Sequence, residues 1–157
     1  MNNYRATAIQ FLYPLARTLL TGTFVISAVR HLMNWDAALN EMANDGMPRS
    51  DFLLLGSIAL RLIGGLMVIA GFHARLGAVL LVAFVIPAAF VGHDFWAMPA
   101  ARRTHETIEF LNNMAIAAGA LLIVLSGPGP VSFDVPYRRQ APLDRRNAGT
   151  ITHLETP

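Results

Sequence analysis

The chain has 157 residues, of which 54% are hydrophobic and only 14% charged, with a formal net charge of +2. Soluble domains average about 25% charged, so this composition points to a membrane protein, and the length to one domain. There is no cysteine, and all twelve basic residues are arginine. Thiol, disulfide and Cys-ligated metal chemistry are therefore excluded for the chain acting alone, as is lysine-based covalent catalysis.

A bilayer core about 30 Å thick is crossed by roughly 20 mostly apolar helical residues. Four stretches qualify: about 8–30, 51–71, 74–96 and 105–126. The first carries Arg17 within its apolar run. Residues 18–29 end in "ISA", as a signal peptide would, but Arg17 would then fall inside the hydrophobic region, so a retained span is expected. Residues 31–50, "HLMNWDAALNEMANDGMPRS", read as the longest loop, with Trp35 placed as an interfacial aromatic. The second span holds Arg61 near its middle, and "GFHA" then makes a tight hairpin into the third. That span, "ARLGAVLLVAFVIPAAFVGHDFW", is uncharged from Leu76 to Gly92 and contains Pro87, which should kink it. The fourth starts polar and turns strongly apolar after Met114. Neither 76–92 nor 114–125 shows the polar face of a soluble bundle helix. From "SGPGP" at 126–130 the chain reads as an extended Arg- and Pro-containing tail. The expected organisation is an all-α, integral membrane four-helix domain over 1–130 and a cytoplasmic tail over 131–157. No internal repeat is visible.

With four spans, both termini share one side with the hairpin. That side carries Arg5, Arg75, Arg138, Arg139, Arg145 and Arg146, against Arg30, Arg49, Arg102 and Arg103 on the other. The bias places both termini in the cytoplasm.

A mid-bilayer arginine costs about 2.5–3.5 kcal/mol on insertion scales, so it is expected to face the bundle interior with a partner. At 100° per residue, interior faces emerge on each helix. They hold Gln10, Arg17, Thr21 and Ala28 on the first and Ser57, Arg61 and Gly65 on the second. The third presents Ala89 and His93, with Trp96 a turn further. The fourth presents Glu106, Glu109, Asn113, Ala117 and Ala120. Arg61 lies about 15 Å below the outer surface at 1.5 Å per residue, within reach of Glu109, which is its expected ion-pair partner. For Arg17 the options are Asn112, Asn113 and backbone carbonyls. His31, His93, Asp94, His105, Glu106 and Glu109 gather at the outer end, beside Trp35 and Trp96. Together they suggest a polar funnel with a cationic floor.

The segments "RTLLTGTFVISAVRHL", "RLIGGLMVIAGFHARLGA", "GHDFW" and "EFLNNMAIAAGALLIVLSGPGPVSFD" carry a resemblance. In order and spacing, from about Arg17 to Asp134, they are similar to the DoxX family of small bacterial membrane proteins. The resemblance implies a four-helix protein of the bacterial inner membrane. Some members are linked to quinone-coupled sulfur oxidation, as in thiosulfate:quinone oxidoreductase, and others to membrane-associated antioxidant complexes. Two positions depart from the family pattern: Arg61 stands where an acid is expected, and Asn112 where a lysine often precedes the asparagine.

Two functions follow as expectations. In the first, the chain is a quinone-interacting or accessory subunit of a membrane redox complex. His93 and Asp94 handle protons with Glu109 as an orienting partner, because imidazole titrates near neutrality. Phe95 and Trp96 stack on the ring, and Arg17, Arg61 and Asn113 complete the binding site. Electrons would then need a partner subunit. In the second, the chain is a non-enzymatic anchor or assembly subunit. A metal site built from His93, Asp94, His105 and Glu109 is a weaker alternative, and no metal is assigned. The partners expected are the lipid bilayer and other membrane or redox subunits, with no nucleic acid.

Overall fold

A computed structural model describes residues 2–134, with side chains from Gln10 onward. Its helices are α1 (Asn2–Met33), α2 (Trp35–Asn44), α3 (Asp51–Ala70), α4 (Ala74–Gly92) and α5 (Ala100–Ser126). Four segments are long and apolar enough to cross a membrane: Gln10–Met33, Asp51–Ala70, Ala74–Gly92 and Ala100–Ser126. No strand occurs among the described residues. The all-α, four-span architecture is as the hydropathy pattern requires.

Three boundaries differ from expectation. The 31–50 segment is not a plain loop, because α2 lies within it. This helix is short and amphipathic. Ala38, Leu39 and Met42 are buried while Asp36, Asn40 and Glu41 face outward, so its apolar stripe is too sparse for a hydropathy window to register. Next, α4 stops at Gly92, four residues before Trp96. His93 leaves the helix at φ −130° and ψ 58°, and tight turns carry the chain onward, with Phe95 N–H donating to the His93 carbonyl at 2.9 Å. Finally, α5 starts at Ala100, directly after Pro99. Proline cannot donate to a preceding turn, so the helix begins there and runs through the polar residues that hydropathy had discounted.

Around the bundle α1 packs on α3, α3 on α4 and α4 on α5, while α1 meets α5 only sparsely. The interior faces read from sequence are real in large part: Arg17, Thr21 and Ala28 are buried, as are Arg61, Gly65, Ala89, Glu106, Ala117 and Ala120. Near the α3–α4 hairpin the packing is tight. A Cβ added to Gly64 would lie 2.9 Å from the Gly77 carbonyl oxygen, so only glycine lets these helices cross so closely. Phe24, Val68, Ala78, Leu81, Val85, Ala117 and Ala120 fill the core beside that crossing.

The hairpin end is closed by the segment after α5. The Arg17 guanidinium donates to the Pro128 and Val131 carbonyls at 2.9 and 2.8 Å. The Asp134 carboxylate accepts from His73 N–H at 2.6 Å and Ala74 N–H at 2.8 Å, capping α4. Gly71, left-handed at φ 69°, ends α3 beneath this strap, where a Cβ would collide with Ser132. Residues 127–134 are thus tied to the bundle. The rest of the expected tail, from 135, lies outside the described residues. The opposite, distal end is covered by α2, which Trp35 fastens to the start of α3 through a 2.7 Å hydrogen bond from Nε1 to the Asp51 carboxylate.

Candidate binding cleft beneath α2

Away from the Gly64–Gly77 crossing the helices separate, and a cleft of about 660 Å³ opens under α2. That is the size of a small-molecule site. Its walls are mainly apolar, with Phe24 from α1, Leu54 and Leu60 from α3, Phe84 from α4 and Ile116 from α5. Met42 forms part of the roof.

Arg61 is the buried charge of this cleft, while Arg30, Glu41 and Asp45 line its α2 end. Arg61 is 4% exposed, and every direct partner is uncharged or an aromatic face. Nε donates to the Ser57 carbonyl at 3.1 Å, Nη1 to Ser27 Oγ at 2.8 Å and Nη2 to Ser57 Oγ at 3.1 Å. Nη2 also lies 3.0 Å from His31 Nδ1, and the guanidinium carbon sits 4.9 Å from the centre of the Phe84 ring. Among the described residues no carboxylate comes within ion-pairing distance of Arg61. The expected Arg61–Glu109 pair is therefore corrected. Arg61 reaches α1, one helix away from α5, because Ser27 and His31 lie on the α1 face that α3 packs against.

The contacts fix the state of His31. Arg61 can only donate, so Nδ1 must accept, and the neutral imidazole carries its proton on Nε2. That nitrogen lies 3.4 Å from a Glu41 oxygen and 3.2 Å from Arg30 Nη2. A protonated Nε2 can donate only to the carboxylate, so the approach of Arg30 belongs to its own 3.6 Å pairing with Glu41. A chain thus runs from buried Arg61 through His31 to exposed Glu41 on the lid helix.

Of the stretch "GHDFW" only Gly92 lines the cleft, and His93 to Trp96 stand beside it. His93 Nδ1 lies 3.1 Å from Glu106 Oε2, and Arg102 holds Oε1 of the same carboxylate at 3.3 Å. The expected orienting partners of His93, Asp94 and Glu109, make no hydrogen bond to it. With α4 ending at Gly92 the imidazole swings toward the first turns of α5, where Glu106 is the carboxylate in reach. Phe95 and Trp96 pack edge-on to each other at 5.1 Å and against Phe110 at 5.3 and 6.2 Å, with Phe90 completing the nest. Of the expected site residues, the structure brings Arg61 and Asn113 to the cleft. It leaves His93, Asp94, Phe95, Trp96 and Glu109 outside, and puts Arg17 at the strap. His93, Asp94, His105 and Glu109 form no metal-sized cluster, nor do any three His, Asp or Glu side chains among the described residues.

Sequence reasoning missed Ser27, Glu41 and the lid, and placed His31 in the outer cluster without joining it to Arg61. The available signal was the i, i+4 pair Ser27–His31, on one α1 face just where the helix leaves the bilayer. Asp45, at the end of α2, also lines the cleft. Burial raises its carboxyl pKa above the ordinary aspartate value, as do the nearby charges of Glu41 and Glu106, with His93 opposing.

The DoxX family model matches residues 12–94, more than half of the chain. Inner membrane protein YphA of Escherichia coli is 28% identical over 120 residues, covering 76% of this chain and 86% of that protein. Inner membrane protein YqjF of the same organism is 29% identical over 119 residues, with the same coverage of 76% and 86%. A Surfeit locus protein 4 homolog of Schizosaccharomyces pombe is 34% identical over 70 residues, covering 43% of this chain and 23% of its own length. No solved structure matches the chain.

Proposed function

The chain belongs to the DoxX family, as a multi-pass protein of the inner membrane, and we propose that it binds a quinone in the cleft beneath α2 as a subunit of a membrane redox complex. The observation that carries this reading is Arg61, a buried cation without a carboxylate partner, facing a largely apolar cavity. A charge so placed is stabilised by an oxygen acceptor brought in by a ligand. A quinone offers a flat apolar ring for Phe84 and Phe24 and a carbonyl for Arg61, with the Asn113 amide on the α5 wall as a second polar group. When bound it would take up two electrons and two protons, the electrons coming from a partner subunit. Arg61 would stabilise the charge gained by the carbonyl oxygen. His31 would hold the guanidinium in place, its Nδ1 accepting from Nη2 while its Nε2–H faces Glu41. In this reading His93 and Glu106 clasp α4 to α5, and Trp96 anchors the distal end at the headgroup level.

The arginine bias supports an orientation with the termini in the cytoplasm and α2 in the periplasm. Because the chain lacks cysteine, Asn40→Cys and Ala148→Cys can each be tested with an impermeant thiol reagent in intact cells. Asn40→Cys should label and Ala148→Cys should not; the reverse pattern overturns the orientation.

The direct test of the ligand is purification in mild detergent followed by solvent extraction. Wild type should retain quinone approaching one equivalent and Arg61→Met almost none. A second reading, an anchor or assembly subunit, is favoured by the long apolar face that α5 leaves uncovered at Leu111, Leu122 and Leu125. A stable large partner co-purifying without quinone would support it and overturn the first.

A further inference from the structure

The cleft is not sealed from the side. Leu53, Gly56, Ala83, Pro87 and Val91 line it and are also exposed on the outside of the bundle, so its wall continues into a surface that meets lipid. All five lie on α3 and α4, on the distal side of the Gly64–Gly77 crossing where these two helices are in contact. Two local features keep the seam open. Gly56 offers no side chain, and a Cβ there would meet nothing within 4 Å. Opposite it, Pro87 lacks the N–H that would bond Ala83, a loss that bends helices.

Depth identifies what passes through. Gly56 is five residues into α3, so the opening lies about 7.5 Å below the start of that helix, among apolar side chains. Arg61 lies five residues deeper on the same helix. An opening at this level admits molecules already dissolved in the bilayer, while the cation beyond it selects an oxygen-bearing head.

We infer that the ligand enters sideways from the membrane between α3 and α4, and keeps its apolar tail in the seam at Gly56 while its head reaches Arg61. The inference rests on the proposed quinone site and assigns the seam to one occupant, the polyisoprenoid tail of that ligand. The occupant follows from continuity: one unbroken cavity joins an apolar seam open to lipid with a polar end where Arg61 is buried. A tailed quinone has the matching pair of properties in one molecule.

The test uses the purified full chain in nanodiscs and two probes, a decaprenyl-tailed benzoquinone and its tail-less counterpart. Gly56→Trp should fill the seam without meeting backbone. It should weaken binding of the tailed quinone at least tenfold and leave the tail-less one within twofold of wild type. Ala83→Trp, on the facing lip, should give the same split. Gly22→Trp is the control, since Gly22 also has nothing within 4 Å of an added Cβ and does not line the cleft; it should bind both probes normally. If both seam variants bind both probes like wild type, the portal is wrong and the head site stands. Equal loss of both probes would put the tryptophans in the head site and overturn the separation of tail from head. If wild type binds neither probe, the quinone reading falls and takes the portal with it.

Discussion

The two arginines buried among the described residues, Arg17 at the strap end and Arg61 at the distal end, are 5% and 4% exposed, yet their surroundings differ in kind. Arg17 gives both Nη groups to main-chain carbonyls while its Nε is buried without a partner, and it closes a region where glycines bring helix backbones into contact. Arg61 is held by two hydroxyl residues, an imidazole and an aromatic face, beside open space. Both obey the rule that an intramembrane charge must be partnered from within. Only Arg61 has room for a partner the chain does not supply. Burial and residue type do not separate a structural arginine from a binding one. The nature of the partners and the adjoining volume do.

The sharpest way to break this comparison is to remove each cation. Arg17→Met leaves the Pro128 and Val131 carbonyls without donors, and the buried one, Pro128, costs about 1–3 kcal/mol when unsatisfied. A marked fall in melting temperature in detergent is expected, with quinone affinity per folded molecule unchanged. Arg61→Met leaves His31 Nδ1 without its donor and should cost about 1–3 kcal/mol as well, so the two variants are told apart by binding. Arg61→Met should lose quinone affinity by ten- to a hundredfold, as expected when a charged hydrogen bond worth about 1.5–3 kcal/mol disappears. If Arg61→Met keeps that affinity and Arg17→Met loses it, the assignment is inverted.

A smaller effect is expected at His93. His93→Gln retains hydrogen-bonding capacity toward Glu106 and should cost about 1 kcal/mol, with normal quinone retention. Loss of ligand in this variant would return "GHDFW" to the binding site and extend the distal region beyond Arg61. The smallest effect is expected at Asp45. Its folded-state pKa is raised, so the folded chain holds that proton more tightly than the unfolded one. The stability contributed in acid is lost as pH rises from the ordinary aspartate value through the raised one. Asp45→Asn should remove that decline from the melting profile and leave neutral-pH stability no lower than wild type. An unchanged profile would mean that the α2 end is open to water.

The spans were legible because apolar runs of bilayer length are unambiguous, and the interior faces because helical phase groups arginine with small residues. The helix ends were not. Pro99 and the non-helical backbone at His93 decided them, and both act through local backbone chemistry that a hydropathy window averages away. The site was half legible. Arg61 announced itself as a charge in a span, and Asn113 as a polar residue on the bundle-facing side of α5. Its partners did not, since Ser27 and Ser57 are unremarkable in a sequence and His31 becomes significant only once α2 brings Glu41 over it. Helix face and depth favoured Glu109 for Arg61, and adjacency in sequence favoured Asp94 for His93. Packing order chose α1 for the arginine, and the end of α4 chose Glu106 for the histidine. For Arg17 the option of backbone carbonyls was correct, although the strap that supplies them was read as tail.

The central claim is that Arg61 is the cation of a ligand site. The chain has two tryptophans, and Trp96→Phe leaves Trp35, beside the lid, as the sole fluorescent reporter. Titrating this variant with tail-less benzoquinone should quench Trp35 along a saturable curve with one equivalent bound. Adding Arg61→Gln should shift the midpoint at least tenfold to higher concentration. An unchanged midpoint, or quenching that never saturates, would contradict the account.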